Sequence, residues 1–172
     1  MTFLQRILGI LLFRPAAYRY VANDSSLTRE AALIVFFMAL LSSTVSTWMD
    51  GFGIRSATSF LIPIFSWIFM SWFCAWFAGL FKIKILFANI LRALGYGRLS
   101  ALFSIATLFF PSKSGLYSAA YYLSVLVSLI AMFLGIRASS SELSTGQAIA
   151  LIFFLSVALT VLTWPLRAIL TG

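Results

Sequence analysis

Residues 92–100 read RALGYGRLS, and in nine positions they hold two arginines, two glycines and a tyrosine. Set between two long apolar runs, that combination could be a catalytic or ligand-binding loop, a soluble linker, or a hinge where a helix enters a membrane. What chemistry could follow depends on the other polar groups in the chain. Its carboxylates are Asp24, Glu30, Asp50 and Glu142, its one thiol is Cys74, and histidine is absent. Cys/His zinc sites, haem ligation by His, disulfide frameworks and Ser-His-Asp triads are thereby excluded within this chain. The four acids fall at expected helix ends or loops and show no pairing that would serve general acid–base catalysis. Cys74 sits in the middle of an apolar run, whereas a reactive thiol needs an electropositive and partly exposed setting. No catalytic residue, cofactor or metal ligand is assigned, and the chain reads as non-enzymatic.

Composition explains why. The chain has 172 residues, 62% hydrophobic, 17% aromatic and 9% charged, with a mean hydropathy of +1.05. A soluble domain carries roughly a quarter charged residues, so most of this surface faces lipid. The formal charge of +8 comes from basic residues clustered at the ends of apolar runs. That placement suits topology control and contact with anionic head groups, and it argues against nucleic acid as a partner.

A membrane span needs about 20 apolar residues. Five stretches qualify, at 31–48, 60–81, 93–110, 116–136 and 147–166, the third ending before Pro111. The expected fold is all-α, a single bundle of five transmembrane helices over residues 1–172. From Leu99 to Phe110 there are only twelve residues, about 18 Å of helix against a hydrocarbon core of about 30 Å. The third span must therefore begin before Arg98. This puts Gly95, Tyr96 and Gly97 at the inner interface as a hinge: a surface helix through Lys84 to Leu94 turns into the membrane, Tyr96 sits at head-group level and Arg98 snorkels outward.

Local signals place further elements. Phe3, Leu4, Ile7, Leu8 and Leu11 recur at helical spacing opposite Thr2, Gln5, Arg6 and Gly9, which describes a short amphipathic helix over 1–14 in the membrane interface, ended by Pro15. The apolar core of this segment is short for a signal peptide and no small-x-small site follows, so cleavage is not expected. Thr28 and Glu30 suit the start of the first span, Thr28 as its cap. Ser144 and Gln147 have the spacing of a capping box at the start of the fifth. With the N-terminus inside, nine of the twelve basic residues face inward and only Arg55, Lys113 and Arg167 outward. The expected topology is N-inside and C-outside, in a bacterial cytoplasmic membrane. Asn23-Asp24-Ser25 matches a glycosylation sequon, but on the side where that modification does not occur.

Three patterns could serve binding. Arg14, Arg19, Lys82, Lys84, Arg92 and Arg98 share the inner face and could meet anionic lipid head groups, although the positive-inside bias alone accounts for them. Phe65, Phe69, Trp72 and Trp76 share one face of the second span, where a pigment, quinone or lipid could stack; packing is the simpler account, and a pigment would also want an axial histidine. Ala39, Ser43 and Thr47, and likewise Ala120, Ser124 and Ser128, are spaced by four and form small-residue faces for helix contacts, within the chain, with a second copy or with another membrane subunit.

Three stretches, LLFRPAAYRYVANDSS at 11–26, RALGYGRLSALFSI at 92–105 and FLGIRASSSELSTGQAIALI at 133–152, give the chain an order and spacing that resembles the Yip1 domain family of five-span membrane proteins. The resemblance implies a cytosolic N-terminus and a five-helix integral fold. Eukaryotic members are associated with Rab-type GTPases and carry a long N-terminal region with an aspartate-leucine-tyrosine-glycine-proline motif, which this chain lacks, and Ser100 stands where the family often has proline. The chain looks like the short bacterial members, and no GTPase-binding residue is carried over. The leading functional expectation is an accessory, assembly or membrane-organising subunit; the alternatives are a lipid or small-solute carrier and a trafficking factor that binds a small GTPase.

Overall fold

A computed structural model describes residues 1–109 and 114–171, with side chains for all of these except 49–50, 55, 105–109, 159 and 162–171. Pro111 and Lys113, and the side chains of Asp50, Arg55 and Arg167, thus lie outside the described residues. The structure is all-α, with helices α1 (Phe3–Leu11), α2 (Pro15–Asn23), α3 (Thr28–Asp50), α4 (Ile54–Leu80), α5 (Phe87–Gly97), α6 (Gly115–Ala138) and α7 (Thr145–Thr171), and 3-10 segments at Ser25–Leu27 and Arg98–Phe109.

Among the described residues three stretches are long and apolar enough to cross a membrane: Ser25–Trp48, Ser56–Leu80 and Gly115–Ala138. They correspond to the first, second and fourth expected spans. The described apolar part of α7, Thr145–Ala158, is shorter. The third expected span departs most from expectation. Residues 93–110 do not form one helix: α5 ends at Gly97 and the chain continues as a 3-10 segment from Arg98 to Phe109. A run of that length is uncommon because 3-10 hydrogen bonds are strained, and such breaks concentrate at functional positions.

Local chemistry explains the helix starts. Thr2 and Gln5 form a reciprocal capping box at α1, Pro15 occupies the first turn of α2, where its missing N–H costs nothing, and Ser144 and Gln147 exchange both arms of the box expected at α7. Thr28 does not cap α3. Leu27 holds the cap position without a side-chain bond, because the preceding 3-10 turn draws the Thr28 hydroxyl to the Ser25 carbonyl at 3.1 Å.

The short helix α5 lies at the centre. Its Ala93 and Tyr96 belong to one buried cluster with α1, α2 and α3, while Ile90 and Leu94 belong to another with α4, α6 and α7. In lipid, apolar side chains gain little by leaving the bilayer, so close approach of small residues does the packing. Gly95 is such a crossing: an added Cβ would lie 3.0 Å from the Ala31 Cβ and 3.2 Å from the Trp67 Nε1. Of Ala39, Ser43 and Thr47, Ala39 is fully buried, the Ser43 hydroxyl reaches α4 by donating to the Ser56 carbonyl at 2.9 Å, and the Thr47 hydroxyl donates back to the Ser43 carbonyl at 2.8 Å. On α1, Arg6, Gly9 and Ile10 are buried against the protein and Phe3, Leu4 and Leu8 are exposed.

Candidate functional site

Two polar layers hold α5 in place. In the first, the Arg6 guanidinium forms an ion pair with Glu30 at 2.6 Å, supported by Nε at 3.3 Å, and the buried Tyr96 hydroxyl donates a short hydrogen bond to the same carboxylate. Glu30 thus ties α1, the first turn of α3 and the last turn of α5 together. Beside it, Arg92 is 4% exposed. Its Nε and Nη2 donate to the Ala22 carbonyl at 3.0 and 2.7 Å, its Nη2 to Asn89 Oδ1 at 2.6 Å and its Nη1 to Thr28 Oγ1 at 3.2 Å. The last carbonyls of a helix lack intrahelical partners, so a guanidinium at the end of α2 satisfies groups that would otherwise need water. Asp24 directly follows the end of α2. Asp24 itself is held below the usual carboxylate range by the Ser26 hydroxyl and amide.

The second layer is Arg98. Its Nη2 donates to the Ser66 hydroxyl at 2.5 Å and to the Pro63 carbonyl at 3.3 Å. Both acceptors belong to the middle of α4: Ser66 lies ten residues from Ser56 and fourteen from Leu80, about 15 and 21 Å along the axis. Pro63 interrupts the hydrogen-bond ladder of α4 at this level, and Ser66 turns its own hydroxyl back to the Pro63 carbonyl at 3.1 Å. Among the described residues no carboxylate pairs with Arg98, and its Nε and Nη1 make no hydrogen bond to protein.

Arg98 lines two cavities. One, of about 270 Å³, is bounded by Trp67, Met70, Leu94, Ser100, Ser124 and Ser128. The other, of about 320 Å³, is bounded by Met38, Ser42, Pro63, Tyr117, Tyr121 and Ser124. The chamber is thus apolar walls, a scatter of hydroxyls and one cation, the pattern of a site for an anionic group carrying an apolar body. Trp67 fixes one wall: its indole N–H donates to the Leu91 carbonyl at 2.7 Å, which ties α4 to α5.

These positions correct several sequence expectations. Arg98 does not snorkel to the surface, because it leaves α5 facing Ser66 and Pro63 at mid-helix. Arg92 is not a head-group contact, because the end of α2 claims it. Tyr96 is fully buried and its hydroxyl meets Glu30 in the first turn of α3. The helix expected through Lys84 to Leu94 begins at Phe87; Phe87 and Ala88 are exposed, whereas Arg92 to Gly97 are buried, including both hinge glycines; what changes at Gly97 is helix type. Arg14, Arg19, Lys82 and Lys84 are exposed. Of the second small-residue face, Ser124 and Ser128 line the Arg98 chamber, and Ser128 Oγ is 3.5 Å from Ser100 Oγ. Phe65, Phe69, Trp72 and Trp76 form a ladder of ring contacts in which Phe65, Trp72 and Trp76 are exposed. Cys74 is fully buried.

Sequence reasoning treated Arg6, Glu30 and Tyr96 as separate. The one local hint was the spacing of Arg92 and Tyr96, four residues apart on the same α5 face. Comparisons with protein-family models, curated proteins and solved structures return no match to this chain.

Proposed function

We propose that the chain is a multi-span membrane protein that binds an anionic amphiphile, a lipid or a small organic anion, in the Arg98 chamber and carries it through the bilayer. The observation behind this reading is Arg98, a cation that faces the middle of the apolar helix α4 with no carboxylate partner among the described residues. Placing arginine at the centre of a membrane helix costs about 2.5–3.5 kcal/mol. One charge-assisted hydrogen bond returns about 1.5–3 kcal/mol. The cation and its hydrogen bond are therefore near balance, and an anion in the chamber would add to that bond. A helix broken at membrane depth is acceptable where it is buried or lines a cavity, and broken helices recur at carrier binding sites. In this reading α5 with its 3-10 extension and α7 join α3, α4 and α6 to make five spans of Yip1-like type, with the N-terminus inside a bacterial cytoplasmic membrane.

The test is reconstitution into liposomes, following the movement of fluorescent anionic and zwitterionic lipids and of small organic anions. Wild type is expected to exceed protein-free vesicles for an anionic species, and Arg98→Met to fall to the protein-free rate. Equal rates for both proteins would end the carrier reading. A second reading, an accessory or membrane-organising subunit, is favoured by the exposed aromatic ladder on α4 and by span windows only 22–28% buried within the chain. It requires partners: a protein found only as a lone monomer by native mass spectrometry from mild detergent would remove it.

A further inference from the structure

A second polar cavity, sharing no lining residue with the Arg98 chamber, lies between α2 and the turn from α6 to α7. It measures about 500 Å³, and its polar lining includes Arg19 and Asn23 from α2, Arg137 from the end of α6, Ser141, and Thr145 at the start of α7. We propose that it binds a phosphate group, presented by a lipid head group or as a free phosphate ion.

Arg137 is held in place. Its Nη1 donates to the Leu143 carbonyl at 3.1 Å and to Thr145 Oγ1 at 3.0 Å, so the connection between α6 and α7 fixes the guanidinium by one nitrogen. Its Nε and Nη2 have no protein acceptor among the described residues. Arg19, on the facing helix, makes no side-chain hydrogen bond or ion pair among the described residues. Among the described residues no carboxylate borders the cleft. Glu142, the nearest acid in sequence, is not part of the lining, and its turn is set by its amide donating to Ser140 Oγ at 3.2 Å. Two guanidinium groups thus share one concave space with no carboxylate among its described lining residues. Guanidinium forks match phosphate oxygens in geometry as well as charge. Pro15, which opens α2 and borders the cleft, follows by a short turn on α1 with its exposed Phe3, Leu4 and Leu8. That apolar face puts the cleft beside the stretch of chain best suited to lie in the bilayer interface, which favours the lipid source.

The experiment uses the full chain in detergent, with Arg98→Met as background (and Arg98→Gln as a second) so that the other chamber does not contribute. Binding of short-chain phosphatidic acid, short-chain phosphatidylcholine and inorganic phosphate is followed by native mass spectrometry and thermal shift. Phosphatidic acid is expected to bind, and Arg19→Gln to weaken it at least tenfold with no change in ligand-free melting temperature, because Arg19 makes no contact that folding needs. Arg137→Lys is expected to weaken it as well. Inorganic phosphate binding as tightly as the lipid, with the same sensitivity to Arg19→Gln, would support the site and assign it to the free ion. Absence of binding by both phosphate probes, phosphatidylcholine binding as tightly as phosphatidic acid, or affinity unchanged in Arg19→Gln, would overturn the proposal.

Discussion

Replacing Arg98 by methionine separates a ligand site from a structural ion site by the sign of its effect on stability. The substitution removes a cation whose placement costs about 2.5–3.5 kcal/mol together with the hydrogen bond to Ser66 Oγ at 2.5 Å, worth about 1.5–3 kcal/mol. Methionine fills a similar volume and meets Met70, already in the cavity wall. The difference runs from roughly 0.5 kcal/mol of loss to roughly 2 kcal/mol of gain. For a chain of this size each kcal/mol moves the melting temperature by about 2–4 °C, so Arg98→Met is expected to melt near wild type or several degrees above it when no ligand is present. Ser66→Ala has the opposite sign, because it removes the acceptor and leaves the cation, a loss of about 1.5–3 kcal/mol. A double-mutant cycle with Arg98→Met/Ser66→Ala is expected to show coupling of about that size. Thermal unfolding of the four proteins in lipid-free micelles measures all three quantities. If Arg98→Met costs more than about 3 kcal/mol while Ser66→Ala is neutral, Arg98 already has a strong internal partner, as for a broken buried ion pair, and the chamber has no anion to recruit.

The remaining predictions concern the scaffold. Glu30→Ala strands the Arg6 guanidinium and the Tyr96 hydroxyl together and is expected to cost about 2–3 kcal/mol, while Tyr96→Phe, which removes one donor, costs about 1 kcal/mol; both are read from unfolding curves. Gly95→Ala places a methyl 3.0 Å from the Ala31 Cβ and is expected to cost about 1–3 kcal/mol, with Ala31→Gly recovering part of it, because the clash is between those two carbons. Cys74, fully buried on α4, is expected to resist a maleimide in the native protein and to react once the protein is denatured, so rapid native labelling would contradict the α4 packing.

What the sequence determined by itself was local or compositional. Length and hydropathy of a single stretch mark α3, α4 and α6 as candidate spans, since the preference of twenty apolar residues for lipid needs no knowledge of neighbours. The Ser144 and Gln147 capping box was legible for the same reason, its two partners being three residues apart. So was the amphipathic pattern of α1, although not which face the protein would cover. Tertiary structure alone decided where the arginines went. Arg6 finds Glu30 across 24 residues, Arg98 finds Ser66 across 32, Tyr96 finds Glu30 across 66 and Arg92 finds the Ala22 carbonyl across 70. A long cationic side chain next to an apolar run can reach the head groups or turn inward, and its own sequence neighbours are the same in both cases. The choice depends on whether another helix brings an unpaired carbonyl, hydroxyl or carboxylate within reach, and that is a property of packing. The stretch expected as the third span illustrates the limit: its hydropathy was plain, but its division at Gly97 into α5 and a 3-10 segment was not.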